Sequence, residues 1–141
     1  MGAAADQSEL QGGLTILLVE DDPLIRISTA DHLRDKGFDV IEAGTVIEAA
    51  TVLSSSPQVR AVFTDVDLPG AMGGLSLAVW IHTHYPAIPV ILTSGVRSIV
   101  PALSGQRTVP FVPKPYDLDK VYHLIASVIA KASSSQDDKS S

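Results

Sequence analysis

Arg60-Ala61-Val62-Phe63-Thr64-Asp65 is a short apolar run closed by a carboxylate, and three other runs end on reactive groups in the same way. Residues 14–19 lead into the acidic triplet Glu20-Asp21-Asp22, residues 89–93 into Thr93-Ser94-Gly95, and residues 109–113 into Lys114-Pro115. If all four runs are parallel strands, their carboxyl ends share one edge of a sheet. Two or three carboxylates, a hydroxyl and an ammonium then converge there. Such a set suits a divalent cation and a phosphoryl group.

The rest of the chain supports the parallel arrangement, because apolar runs alternate with helical patterns five times. Residues 14–19 are apolar apart from Thr15, as in a strand buried on both faces. Asp22 and Pro23 read as an N-cap followed by a first-turn proline, opening a helix that Gly37 closes. Residues 38–42 form a second strand. Thr45-Val-Ile-Glu48 is a capping box, with Ala49, Ala50 and Leu53 continuing an apolar face. Residues 60–64 make the third strand.

Residues 69–74 are turn-rich, and Leu75, Ala78, Val79 and His82 mark the next helix. Residues 89–93 and 109–113 are the fourth and fifth strands. A fourth helix belongs within 96–104, interrupted by Pro101 and soon ended by Gly105. Asp117 caps a last helix with Leu118, Val121, Ile125 and Val128 inward. Strand–helix alternation predicts a doubly wound parallel α/β sheet with right-handed crossovers and helices on both faces. Ligands in such folds bind beyond the carboxyl ends of the strands.

One domain accommodates the 141 residues. It is expected over 14–132, between a flexible arm at 1–13 and a disordered polar tail at 133–141. The net charge of −6 disfavours binding through nucleic-acid phosphates. The absence of cysteine excludes disulfides, thiolate zinc sites and cysteine nucleophiles. No signal-peptide pattern opens the chain and no apolar run is long enough to span a bilayer, so the expectation is a cytoplasmic chain with no membrane partner.

Asp65 is the candidate nucleophile, with Glu20 and Asp21 close to it if the first and third strands are neighbours. Crowded carboxylates raise one another's pKa unless a cation intervenes, and Mg²⁺ fits this set of oxygens. Lys114 supplies positive charge, and Ser94 a hydrogen bond, to developing phosphoryl oxygens. Each residue also has an ordinary reading. Asp22 reads as a helix cap before a metal ligand, Asp65 alone as a strand-end aspartate, Lys114 alone as a surface lysine, and Ser94 as a cap. Their joint occurrence at four strand ends is what the ordinary readings leave unexplained.

Other motifs carry less. Gly12-Gly13 precedes the first strand, so it is no dinucleotide loop. His82 and His84 face different ways on a helix, and Trp80, Tyr122 and His123 read as core or helix flank.

The chain resembles a response-regulator receiver domain of two-component signalling, of the stand-alone, chemotaxis-regulator-like kind. The resemblance rests on Leu-Val-Glu20-Asp21-Asp22-Pro-Leu-Ile-Arg26, Thr-Asp65-Val-Asp-Leu-Pro69-Gly70, Leu-Thr-Ser94-Gly95 and Pro-Lys114-Pro115, across residues 14–132. It implies a flavodoxin-like sheet of order 2-1-3-4-5. It further implies that Asp65 is the phosphoacceptor, supplied by a sensor histidine kinase or a histidine phosphotransfer protein. Asp21, Asp65 and the backbone carbonyl of Asp67 would hold Mg²⁺, with Glu20 acting through water. Ser94 would be the switch hydroxyl, Gly95 would leave room for the phosphoryl group, Lys114 would be the lysine of the pattern, and Phe111 the switch aromatic.

The resemblance implies a phosphoacceptor switch and no enzyme of turnover. Its output goes through a downstream protein, or it drains phosphate from a relay. A homodimer on phosphorylation is compatible with it. Asp67 and Val96 depart from the pattern at two positions that tune acyl-phosphate lifetime, and Phe111 lacks a hydroxyl. Two competitors stand beside it. Asp65-Val-Asp67 also resembles the nucleophile and acid/base pair of haloacid-dehalogenase-like phosphatases, although on the third strand instead of the first. A receiver-like scaffold that no longer uses phosphate would ordinarily lack an acidic residue or the lysine.

Overall fold

A computed structural model describes residues 13–55, 58–69, 73–95 and 109–140, apart from the side chains of 74 and 134–140. The helix expected within 96–104, Val96 with it, and nearly all of the amino-terminal arm lie outside the described residues. The elements run β1 (Thr15–Val19), α1 (Pro23–Asp35), β2 (Asp39–Ala43), α2 (Val46–Ser55), β3 (Val59–Asp65), α3 (Gly73–His84), β4 (Val90–Ser94), β5 (Phe111–Pro113) and α4 (Leu118–Ser140). Every strand pairing is parallel, in the order β2-β1-β3-β4-β5. The expected sheet and order hold, and β1 and β3 are neighbours in the centre.

Strand alternation divides the core between two faces. Ile16 and Leu18 of β1 and Ala61 and Phe63 of β3 pack against Ala30 and Leu33 of α1 and Val121, Tyr122 and Ile125 of α4. Leu17, Val19 and Val62 pack the other way, on Ala49 and Leu53 of α2 and Leu77 and Ile81 of α3. Each of the larger aliphatic and Phe side chains among them contributes about 1.5–3 kcal/mol by leaving water. Together they fix the height of the strand ends, and so the height of Glu20 and Asp65.

The helix boundaries follow from local chemistry. Asp22 Oδ1 accepts the Leu24 and Ile25 amides at 2.9 and 3.3 Å, and Pro23 follows in the first turn. Gly37, at φ 103°, closes α1, with the Phe38 amide reaching the Leu33 carbonyl and the Gly37 amide that of Arg34. The capping box at α2 is shifted by one residue on its return arm. Thr45 Oγ1 accepts the Glu48 amide, but the Glu48 carboxylate takes the amide of Gly44. Asp117 caps α4 through the amides of Asp119 and Lys120.

At the far end α4 continues to Ser140, across the segment whose composition predicts a disordered tail. Residues 133–140 contain neither proline nor glycine, and a helix already nucleated propagates through polar residues until something stops it.

The cap supports a first prediction. Asp22→Ala should cost about 1 kcal/mol of stability in urea unfolding, since two first-turn amides lose their acceptor. An unchanged midpoint would contradict the capping role.

Candidate functional site

The centre of the carboxyl edge is an ion triad. Glu20 follows β1 and Asp65 ends β3; both side chains are 2% exposed, and Lys114 Nζ lies 2.8 Å from Glu20 Oε1 and 2.6 Å from Asp65 Oδ2. The hydrogen bond goes to Asp65. Asp22 N–H donates to Glu20 Oε2 at 3.0 Å, and Asp67 N–H to Asp65 Oδ1 at 2.8 Å. Both carboxylates are therefore held from two sides.

Burial pushes the Glu20 carboxyl above its ordinary range. The Lys114 ammonium and the Asp22 amide pull it back only in part, and the charge on Asp65 adds to the rise. Burial alone would lower Lys114, but its pairing with Asp65 and Glu20 outweighs that and raises it above the ordinary lysine value. The ammonium is thus fixed in its charged form.

Asp21 is exposed beside this pair, and one oxygen each from Glu20, Asp21 and Asp65 lie within 4.8 Å of one another. Glu20 Oε1 is buried and, beyond its ion pair, has no aligned hydrogen-bond partner among the described residues. Three carboxylates with an unsatisfied buried oxygen fit a small, hard, partly hydrated cation such as Mg²⁺. Asp22 stays outside the group, occupied by its helix cap.

Ser94 ends β4, one residue past Thr93, which pairs with Asp65 in register. The Ser94 carbonyl accepts the Lys114 amide at 3.0 Å, which ties the end of β4 to the lysine. Ser94 Oγ donates to Asp67 Oδ2 at 2.8 Å, and Gly95 N–H to the same oxygen at 3.1 Å. A Cβ on Gly95 would meet nothing within 4 Å among the described residues. Phe111 sits at the start of β5, half-buried against the small cluster of Val66, Ala78 and Leu92. It lies two strands from Asp65.

Three contributions escape sequence reasoning. Arg26 donates from Nη1 to the Glu20 carbonyl at 2.9 Å and pairs with Glu42 at 3.3 Å, clamping the turn after β1. Tyr116 bonds Thr29 through its hydroxyl and sets its ring edge-on to Phe63, walling the site beside Lys114. Asp67 enters through its side chain as well as its backbone. Asp67 carried a signal in its spacing of two from Asp65, and Arg26 in its place at the end of the first motif, whereas Tyr116 carried none.

His82 and His84 are both exposed, and His84 Nδ1 contacts the Trp80 carbonyl within the same helix. Among the described residues, no helix is long and apolar enough to cross a membrane.

The family model described as "Response regulator receiver domain" matches residues 16–126. A putative NtrX-like response regulator of Rickettsia felis is 34% identical over 115 residues, covering 79% of this chain and 24% of that protein. The sensor protein TorS of Escherichia coli is 30% identical over 81% of this chain and 13% of its own length. The chain thus spans a quarter or less of these two relatives. Among solved structures, NtrX of Brucella abortus superposes with a TM-score of 0.80 at 26% identity, over 89% of this chain and 29% of that one. A CheY-like receiver domain of Methanospirillum hungatei has a TM-score of 0.79 at 22% identity, over 86% of this chain and 98% of that one.

Proposed function

This chain belongs to the response regulator receiver domain family, and from that premise we propose that Asp65 is the residue phosphorylated in two-component signalling. The observation that supports it most is the pairing of a buried Asp65 with Lys114 at the carboxyl edge, 2.6 Å apart beside Glu20 and Asp21. In the transfer, a carboxylate oxygen of Asp65 attacks the phosphorus of a phosphohistidine on a sensor kinase or phosphotransfer protein. The new P–O bond forms as the P–N bond breaks, and its electron pair leaves on the imidazole nitrogen. Catalysis here is positioning and charge neutralisation.

Asp21, Asp65 and the Asp67 carbonyl would hold Mg²⁺, with Glu20 acting through water. Bound there, the ion neutralises charge on the phosphoryl oxygens. Lys114 holds Asp65 in line and balances the acidic edge. Ser94 donates to a phosphoryl oxygen after transfer. Because the Lys114 amide and the Ser94 carbonyl are bonded, a shift in either is felt at the ends of both β4 and β5. Phe111 repacks on the same strand. Phosphorylation then biases the equilibrium between two arrangements of this surface, which a downstream protein reads. A role as phosphate sink in a relay uses the same chemistry.

An open groove beside Lys114, lined by Leu24, Ile25, Thr29, Tyr116 and Leu118, supports a protein as donor. Leu24 is 78% exposed there, an apolar contact for a partner helix or loop to cover. A turnover phosphatase is disfavoured, because Asp65-Val-Asp67 lies at the end of the third strand instead of the first.

The switch is testable by amide NMR. Phosphoramidate with Mg²⁺ should move the signals of Thr93, Ser94, Gly95, Phe111, Val112, Lys114 and Tyr116 and leave those of Ala43 and Leu53 in place. Movement spread evenly over the sheet, or none, would count against a switch at β4 and β5.

A further inference from the structure

Residue 67 stands between the acceptor and the donors at the end of β4. Its amide holds Asp65 Oδ1, and its carboxylate Oδ2 takes both Ser94 Oγ and Gly95 N–H. A hydroxyl and an amide aimed at one oxygen form a fork for an anion, and with a charged acceptor both bonds are of the stronger kind. Ser94 Oγ has a single proton, so the hydrogen bond it donates to Asp67 is one it cannot donate elsewhere.

We propose that the Asp67 carboxylate is a built-in anion that occupies the Ser94–Gly95 fork in the unphosphorylated chain and must release it when a phosphoryl group arrives on Asp65. The inference rests on the reading of Asp65 as acceptor and adds a competitor to it. A phosphoryl group shifts the switch only by its differential interaction with the two arrangements. Whatever Asp67 already supplies to Ser94 and Gly95 is subtracted from that difference. The Asp67 carboxylate therefore weakens phosphoryl capture while holding Ser94 towards β3 in the resting state. It is a positioning residue, acting through Ser94 and Gly95.

The test is titration of the full chain with beryllofluoride and Mg²⁺, a phosphoryl analogue that needs no donor protein, followed by amide NMR. Asp67→Ala should bind it about tenfold more tightly, the worth of one charge-assisted hydrogen bond no longer displaced. Asp67→Asn, which keeps an oxygen acceptor without the charge, should fall between. Before any beryllofluoride is added, the Gly95 amide proton should move upfield in Asp67→Ala, a change that bulk stability would not produce. In a Ser94→Ala background, the gain from Asp67→Ala should shrink several-fold.

Equal affinities of wild type and Asp67→Ala would overturn the proposal. So would a gain undiminished without the Ser94 hydroxyl, which would assign the effect to charge alone. If a folded wild type takes no beryllofluoride, the fault lies with the reading of Asp65, and the proposal falls with it.

Discussion

Lys114→Met is expected to lower the unfolding free energy by about 3–5 kcal/mol, the cost of leaving buried charges without their partner. The methionine keeps the length and apolar stem of the lysine and removes the ammonium. Glu20 and Asp65, each 2% exposed, then face one another with no cation between them. The carboxyl of Glu20 already lies high because of burial, so the variant must protonate it or admit water. Added Mg²⁺ should recover part of the loss, because an ion bound only to the folded state stabilises it by mass action. Urea unfolding with and without Mg²⁺ measures both effects. A loss below about 1 kcal/mol would mean that solvent screens the triad as it screens a surface pair.

The pH dependence of that difference has a definite sign. Burial would lower Lys114, but pairing with Asp65 and Glu20 outweighs it and raises the folded pKa above its ordinary 10.5. Its stabilising contribution is therefore complete below that ordinary value and is lost as pH rises through the folded one. The gap between wild type and Lys114→Met should narrow as pH falls through the range where Glu20 takes up a proton in the variant, and close again only in strong alkali. Tyr116 is also raised, through burial, and also weakens the fold in alkali; the Lys114 charge opposes that rise, so Lys114→Met should feel it somewhat more than wild type.

Much of the fold was legible because the signals were local and agreed with one another. The doubly apolar runs at β1 and β3, the Asp22-Pro23 start and the Gly37 stop each specify an element without reference to the rest of the chain. Parallel pairing then follows from alternation, and with it the common edge. The extent of the last helix was hidden for the opposite reason. Polar, low-complexity composition at 133–140 says that a segment has little to bury, yet α4 runs through it because no residue there breaks a helix.

At the site, the convergence of strand-end residues was readable and side-chain directions were not. Glu20, Asp21, Asp65, Ser94 and Lys114 were marked by position at strand ends, and the structure gathers Glu20, Asp21, Asp65 and Lys114 at one point. The hydrogen bonds of Asp67 span 27 and 28 residues and depend on loop geometry after β3, which spacing does not encode. Arg26 likewise looks like a surface arginine until the fold puts Glu42 and the Glu20 carbonyl within reach. Tyr116 gave no signal at all, since its role depends on Thr29 from the other end of the chain.

The second large effect is all-or-none and bears on the central claim. Asp65 and Glu20 are the buried carboxylates held against Lys114 at the sheet edge, and Asp65 takes the shorter contact, whereas Asp22 is committed to a cap and Asp67 to Ser94 and Gly95. Asparagine at 65 keeps the shape but is not a nucleophilic carboxylate, so no acyl phosphate can form there. The measurement is intact mass after incubation with acetyl phosphate, with and without Mg²⁺, for wild type and Asp65→Asn. One phosphoryl adduct is expected on the wild type, dependent on Mg²⁺ and missing from the variant. An adduct of the same size on a folded Asp65→Asn, or none on a folded wild type, would contradict the assignment of Asp65 as phosphoacceptor.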